Sequence, residues 1–528
     1  MTKANHDDDN GNDDNGNDSN DNDNGNDGNG NDGNSNDHDG NSNDNDNDND
    51  NINSNSNNNI QAPATANLDT LYFNVTPFRD VRAASSFFSL PFSKELAFDL
   101  KLDLDEDREQ FKHDIISTGL INYDQAIQMV GLFAKYYGRW VSFASDKPPK
   151  ELLDSIRLDS PLLLAVCCLM GSIHYVEELN VKSKDLAMDI LKEIDTLLSM
   201  TVNRVPQRKQ LLQSLVILSS FSLSLSYKDV YFDGWYLSGY ALLHFITREM
   251  DLNLLSDRFR THPDRINNFR LWNHLSLTHL TFCVLSGRPC LIDTLRIDQC
   301  REILDIPSAM SFDGKIVAEL SIILSLYNSL QFEEPVEISL KELESTYNDW
   351  KYLCEQNPMG EFIQVNYRFS RMMIYRRSFL KDFGRDKGFI FHSPLTLATN
   401  AKASASADND GSFNLENSIG TVRPMIKECI EVINLAYTGD RQELVRSGDT
   451  IKFEIFFATI TMINMIRLGF GSSPWASKKR QAQVEEAIAK SKKICEWLNE
   501  QNNYYNRFVE SYYILICKFS DHIHEQEL

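Results

Sequence analysis

Gly234-Trp235-Tyr236-Leu237-Ser238-Gly239-Tyr240, answered downstream by Arg270-Leu271-Trp272 and by Ser286-Gly287-Arg288-Pro289, is the stretch whose spacing decides the fold. From Trp235 onward, Gly239, Leu242, Leu243, Ile246 and Met250 recur at intervals of three and four, which predicts a helix over 234–251 with that stripe buried. Gly239 lies inside the stripe. A glycine there costs roughly 1 kcal/mol of helix propensity relative to alanine, so a second helix is expected to approach the backbone closely at this point.

The second segment extends the pattern. Phe269, Trp272, Leu275, His279 and Phe282 predict one face of a helix over 265–286. Gly287 supplies a left-handed cap and Pro289 prevents continuation. Arg288 then sits at a helix carboxy terminus, where its charge favours the exposed carbonyls and it can pair with a carboxylate.

Working outward, apolar residues recur at threes and fours almost throughout, and the chain reads as helices at 108–118, 123–143, 160–179, 183–200, 207–226, 316–330, 338–356, 363–382, 417–437, 447–468, 477–499 and 502–522, with a short one at 297–303. Asp124 opens the second of these. Pro148-Pro149 reads as the end of the connection after it, and Ser160-Pro161 as a cap residue before a first-turn proline.

These segments resemble the middle homology, or regulatory, region of fungal binuclear zinc-cluster transcription factors. The residues that carry the resemblance are Asp233-Gly234-Trp235, Ser238-Gly239-Tyr240-Ala241, Arg248-Glu249-Met250-Asp251-Leu252, and Arg270 with Trp272 opening a helix that ends in Gly287-Arg288-Pro289 and runs on into Leu291-Ile292-Asp293. A weaker likeness lies at Asp114-Ile115-Ile116-Ser117-Thr118-Gly119-Leu120-Ile121, followed by Gln125-Ala126 and Phe133. The resemblance implies an all-helical regulatory domain in which Trp235, Gly239, Arg270, Trp272, Gly287, Arg288 and Pro289 are structural motif residues. It also implies a zinc cluster of six cysteines ahead of this region. Here that place holds an Asn/Asp tract and no cysteine.

The tract is distinctive. Residues 1–60 contain 24 Asn, 16 Asp and 7 Gly, too little apolar surface to pack, and residues 1–66 read as a disordered tail. With Lys3 as its only base the tail carries −15 of the formal −24, leaving −9 for the remainder, which argues against a general nucleic-acid surface. Residues 67–110 read as a mixed linker. Within it Phe98-Asp99-Leu100-Lys101-Leu102-Asp103-Leu104-Asp105 alternates strictly and is expected to dock on the body. The small and polar stretch 393–416 reads as a flexible loop between a helical region at 111–392 and a carboxy-terminal helical part at 417–528.

The nine cysteines show no C-x-x-C spacing, which disfavours a structural zinc site, and their odd number with no apolar leader disfavours a disulfide-bonded secreted protein. Gln210 to Tyr227 is uncharged and approaches membrane-helix length, but six Ser and two Gln favour a buried soluble helix. His274 and His279, five apart, do not share a face as metal ligands and read as core or hydrogen-bonding residues. Asp521-His522-Ile523-His524-Glu525 reads as an exposed polar end and Gly469 to Pro474 as a helix stop. Lys478-Lys479-Arg480 with Lys490, Lys492 and Lys493 reads as a solvated helix face. Tyr136-Tyr137-Gly138-Arg139-Trp140 and Tyr504-Tyr505 with Tyr512-Tyr513 read as core aromatics, with ligand lining as the alternative.

No nucleophile elbow, zincin or phosphate-loop pattern is present, and the chain reads as a non-enzyme without a cofactor or metal of its own. The expectation is a nuclear regulator of RNA polymerase II transcription. It would act through a transcription-factor or co-regulator partner or a small-molecule effector, away from membranes, and reach DNA only through that partner or through a domain encoded upstream. The alternative is a cytosolic helical scaffold with no link to DNA.

Overall fold

Asn122 opens the first described helix. Its side chain accepts the Gln125 amide hydrogen at 2.8 Å while the Gln125 side chain accepts that of Asn122 at 2.9 Å, a reciprocal cap that satisfies two otherwise orphaned donors. The start signal is therefore Asn122, and Asp124 occupies the first turn, where its charge suits the helix dipole.

The computed structural model describes residues 113–143, 147–174, 183–202, 209–226, 230–248, 265–292, 297–332, 334–356, 360–384, 415–466, 478–500 and 507–525. All of them belong to one unit, Phe78–Leu528. The Asn/Asp tail, the alternating segment at 98–105, the loop expected at 393–416, Gly469 to Pro474, Tyr504-Tyr505 and the Glu249 to Leu252 part of the motif lie outside the described residues.

Every regular element among the described residues is helical: α1 Tyr123–Tyr137, α2 Pro149–Asp159, α3 Pro161–Ser172, α4 Ser183–Val202, α5 Lys209–Ser220, α6 Ser222–Leu225, α7 Gly234–Arg248, α8 Arg265–Ser286, α9 Ser311–Phe332, α10 Val336–Gln356, α11 Glu361–Gly384, α12 Leu415–Thr438, α13 Arg441–Arg446, α14 Asp449–Met465, α15 Lys478–Glu500 and α16 Arg507–Glu525, with 3-10 turns at Gly138–Trp140 and Gln299–Asp305. The chain is all-α, as its periodicity indicates.

Two elements depart from expectation, and the cap read at Ser160 is met. Residues 114–118 form a turn, because the Asp114 carboxylate takes the Ile116 and Ser117 amide hydrogens, each at 2.8 Å, in competition with a helix. Pro149 starts α2: a proline at the first helical position gives up only an amide that has no intrahelical partner. Ser160 ends α2 and caps α3, accepting the Leu163 amide at 3.2 Å.

The Gln210 to Tyr227 run breaks into α5 and the single turn α6, both packed inside the body. No helix among the described residues is long and apolar enough to cross a membrane. Serine hydroxyls in α5 donate back to carbonyls one turn earlier, Ser214 to Gln210 and Ser219 to Leu215, so their burial leaves no unmet donor.

α8 is the central post. It is buried on nearly all sides, against α5, α7 and α9, so the single face expected from Phe269 to Phe282 widens to include Asn268, Asn273 and His274. On α7 the buried stripe is Leu237, Ser238, Ala241, Leu242 and Phe245, while Leu243 is 48% exposed. The stripe is rotated from the expected one because Phe245, the bulkiest apolar residue on the helix interior, packs on Trp272 with rings 5.7 Å apart.

The carboxy-terminal helices continue the same core. α11 packs along α12 through Glu428, which accepts from Arg371 Nε at 2.8 Å and from Arg368 at 3.2 Å. Asp449, buried at the start of α14, accepts the Ser224 amide hydrogen of α6 at 2.6 Å. These contacts complete the frame that positions the sites below.

Candidate functional sites at the helix 7 and 8 junction and in a polar cavity

The two motif segments meet in space. Asp233, just ahead of α7, accepts the Tyr236 amide hydrogen at 3.1 Å through Oδ1 and the Arg288 guanidinium at 2.6 Å through Oδ2. One carboxylate thus caps α7 and holds the turn that follows α8. The Arg288 guanidinium carbon lies 5.1 Å from the Trp235 ring centre, and Trp235 Nε1 donates to the Pro289 carbonyl at 3.1 Å.

That turn forms because Gly287 adopts φ +69°, and its amide donates to the Cys283 carbonyl at 2.9 Å in a left-handed cap. Across the junction, a Cβ built on Gly239 would stand 2.6 Å from Leu291 Cδ1 and 3.0 Å from His279 Cε1. A larger side chain would have to displace the Leu291 methyl and press on the His279 ring.

Arg270 and Trp272 occupy the other end of α8. Arg270 grips Asp313 of α9 bidentately, Nε to Oδ1 at 2.8 Å and Nη2 to Oδ2 at 2.9 Å, and Asp313 also accepts the Met310 amide hydrogen at 2.8 Å. Trp272 is fully buried. The seven motif residues therefore split: Trp235, Gly239, Gly287, Arg288 and Pro289 make one junction, while Arg270 and Trp272 anchor the opposite end of the same helix. Asp233, which holds the junction from both sides, carries no signal in sequence beyond its place before Gly234-Trp235.

A second site has no contiguous signature. A small cavity of about 50 Å³ lies among α8, α9, α11, α13 and α14 and the 3-10 turn after α1. Its charged lining is Arg139, Lys315, Arg446, Glu319 and Glu443. Glu443 bridges two cations, at 2.9 Å from Arg139 and 3.6 Å from Arg446, and Lys315 pairs with Glu319 at 3.1 Å.

Aromatic rings wall this cavity. Trp140 stacks on His274 with centroids 5.4 Å apart, and Arg139 lies over Phe312 at 4.7 Å. Burial, aided by the nearby Lys315 charge, depresses the His274 pKa to about 3, so the ring is neutral at physiological pH. Behind Glu319, burial also holds Glu454 protonated well above the usual carboxylate range, and its oxygens have no hydrogen-bond partner among the described residues. Of the aromatic cluster at 136–140, Tyr137 is core and Trp140 lines the cavity.

The described residues form an all-helical domain whose motif residues meet at one junction and at the opposite end of α8. Residues 119–399, more than half of the chain, match the family described as the middle domain of the transcriptional activator of proteases prtT, and the chain belongs to that family. This bears out the family resemblance carried by the motif residues. The chain is 28% identical over 263 residues to the transcriptional activator of proteases prtT of Aspergillus clavatus, covering 49% of this chain and 41% of that protein. It is 26% identical over 306 residues to the protein of that name from Penicillium rubens, covering 56% and 45%. An uncharacterised transcriptional regulatory protein of Schizosaccharomyces pombe is 25% identical over 399 residues, covering 73% and 66%. The chain thus spans about half the length of the curated prtT relatives it matches. No solved structure matches it.

Proposed function

We propose that this chain is a non-enzymatic nuclear regulator of RNA polymerase II transcription, whose helical body transmits the state of a bound partner or small effector to the transcription machinery. The observation that carries the reading is membership of the prtT middle-domain family, whose matched relatives are named as transcriptional activators or regulators. DNA is reached through a transcription-factor partner or through a further domain bearing a zinc cluster. The six-cysteine cluster of the family finds no fit in this chain, because its cysteines are dispersed through the helical body.

The polar cavity is the effector site in this reading. Its three cations outnumber its two carboxylates, and Thr278, Thr281 and Asn366 add hydrogen-bonding groups beside aromatic walls. That lining suits a small carboxylate- or phosphate-bearing metabolite. Binding would compete with Glu443 for Arg139 and Arg446 and so alter how α13 is held.

Tethering residues 61–528 to a heterologous DNA-binding domain should change reporter output, and the tagged full chain should crosslink to chromatin and co-purify with a DNA-binding partner. Exclusion from the nucleus together with a silent tethered reporter would sink the reading in favour of a cytosolic scaffold. For the effector site, a panel of small dicarboxylates and phosphate esters is expected to include at least one that raises the melting temperature of wild type and not of the Arg139→Ala/Arg446→Ala variant.

A further inference from the structure

His279, Cys283 and Cys290 converge beside the motif junction, and their ligand atoms all lie within 4.8 Å of one another. We infer that these three side chains form a binding site for a thiophilic metal ion, Zn²⁺ in the first instance, that locks the end of α8 to the turn following it. This site is separate from any six-cysteine cluster: it is built from one histidine and two cysteines inside the helical body.

The geometry arises from the local fold. His279 and Cys283 are four apart on α8 and so share one face, a turn above one another. Cys290 lies seven residues beyond Cys283, and the left-handed turn at Gly287 folds it back against that face. The sequence offers no C-x-x-C spacing, so only this chain reversal gathers the set.

His279 is already oriented as a metal ligand should be. Its Nδ1 lies 3.2 Å from the Trp235 carbonyl oxygen and 3.1 Å from Ser238 Oγ, and its Nε2 lies 3.2 Å from the Leu291 amide nitrogen. A carbonyl can only accept and an amide can only donate, so the hydrogen sits on Nδ1 and Nε2 presents its lone pair toward the 290–291 segment. A ligating histidine that donates its other ring N–H to a carbonyl is the recurrent outer-shell arrangement in metal sites, and it raises ligand basicity. Gly239 preserves the arrangement, because any side chain there would press on His279.

Donor chemistry selects the ion. Two thiolates and an imidazole suit Zn²⁺ or Cu⁺ and exclude Mg²⁺ and Ca²⁺, which take oxygen ligands. Zinc bonds of about 2.3 Å to sulfur and about 2.0 Å to nitrogen place the two sulfurs and one nitrogen roughly 3.5–3.8 Å apart at tetrahedral angles, so side-chain rotations that contract the set by about 1 Å complete it. The ion would replace the Leu291 amide as the partner of Nε2. Cys290 is only partly buried and Leu291 is 40% exposed, which leaves a fourth position open to water or to a partner's side chain. Zinc takes both sulfurs as thiolates, so any proton they carry is released to solvent and binding strengthens as pH rises.

The test uses the purified full chain with Zn²⁺, and with Co²⁺ as its coloured substitute, under a phosphine reductant. One Zn²⁺ per chain after dialysis, a Co²⁺ spectrum with thiolate charge-transfer and tetrahedral bands, and a melting temperature raised by Zn²⁺ are expected. Cys290→Ser, at the least buried of the three ligands, should keep the wild-type circular dichroism and bind Zn²⁺ at least roughly tenfold more weakly, by analogy with the smallest losses at disturbed metal sites. His279→Gln provides the second variant, with loss of the Co²⁺ imidazole contribution. No stoichiometric metal in wild type, or equal binding by Cys290→Ser, overturns the site. So does a wild type that binds no metal when reduced but whose Cys283 and Cys290 oxidise to a disulfide, because the pair is then a dithiol switch.

Discussion

The two ends of α8 carry the same chemical pair in opposite settings. At its start Arg270 holds Asp313 with side-chain exposures of 14% and 2%, whereas after its end Arg288 holds Asp233 with exposures of 44% and 29%. Both contacts are short. Water decides the difference: if Arg270 is lost, Asp313 keeps only the Met310 amide and no compensating charge, while the outer pair can be resolvated. The inner pair therefore fixes where α9 docks, and the outer one is a latch on a junction otherwise built by Trp235, Gly239 and the Gly287 turn.

The strongest way to break this contrast is Arg270→Ala, which strands the Asp313 carboxylate in the core. A loss of about 3–5 kcal/mol is expected from urea unfolding. A loss no larger than that of the outer pair would refute the assignment of roles.

A buried, protonated carboxyl group with no hydrogen-bond partner among the described residues sharpens the comparison further. Burial holds the folded-state pKa of Glu454 above the ordinary 4.5, so as pH rises past that value the unfolded chain ionises while the folded one keeps its proton. Stability attributable to this group therefore falls with rising pH, by up to about 1.4 kcal/mol per pH unit until the folded-state pKa is reached. Glu454→Gln should flatten that decline, and its advantage over wild type should grow between pH 5 and 8 in a series of melts. An identical pH profile for the two proteins would show that Glu454 does not titrate as its burial requires.

At the junction itself, Gly239→Val is expected to cost about 1–3 kcal/mol by forcing His279 and Leu291 apart. Gly239→Ala should be nearer neutral, since about 1 kcal/mol of helix propensity offsets the smaller overlap. Equal effects of the two would mean that propensity and not close approach governs the position. The smallest effect belongs to Arg288→Ala, about 0.2–1 kcal/mol and shrinking with added salt, read as a small, salt-dependent shift in the unfolding midpoint.

Much of the junction was legible in sequence because its parts are contiguous. Gly287 and Pro289 announce a helix stop at any position, and Trp235 to Gly239 announces a close-packed helix start. What could not be read was the pairing of Asp233 with Arg288, since an acid before a helix and a base after another have many potential partners. α2 is not legible from periodicity alone: Pro148-Pro149 reads as the end of a connection, and only the structure shows that Pro149 is also the first residue of a helix. The turn at 114–118 is not legible either, because Asp114 competes for backbone amides, an effect that apolar periodicity does not register. The cavity was less legible still: Arg139, Lys315, Glu443 and Arg446 come from distant segments, and each alone resembles any surface charge.

The helical class, the family resemblance and the places where α7 begins and α8 ends are readable from adjacent residues alone. That is because helix period, caps and breakers are local properties of a few adjacent residues. Packing of distant segments was needed to show that α8 is buried on nearly every side, that Cys290 returns to His279 and Cys283, and that a salt-bridged, aromatic-walled cavity forms between helices. Those outcomes depend on which helices pack against which, and that choice is settled by burial summed over the whole core.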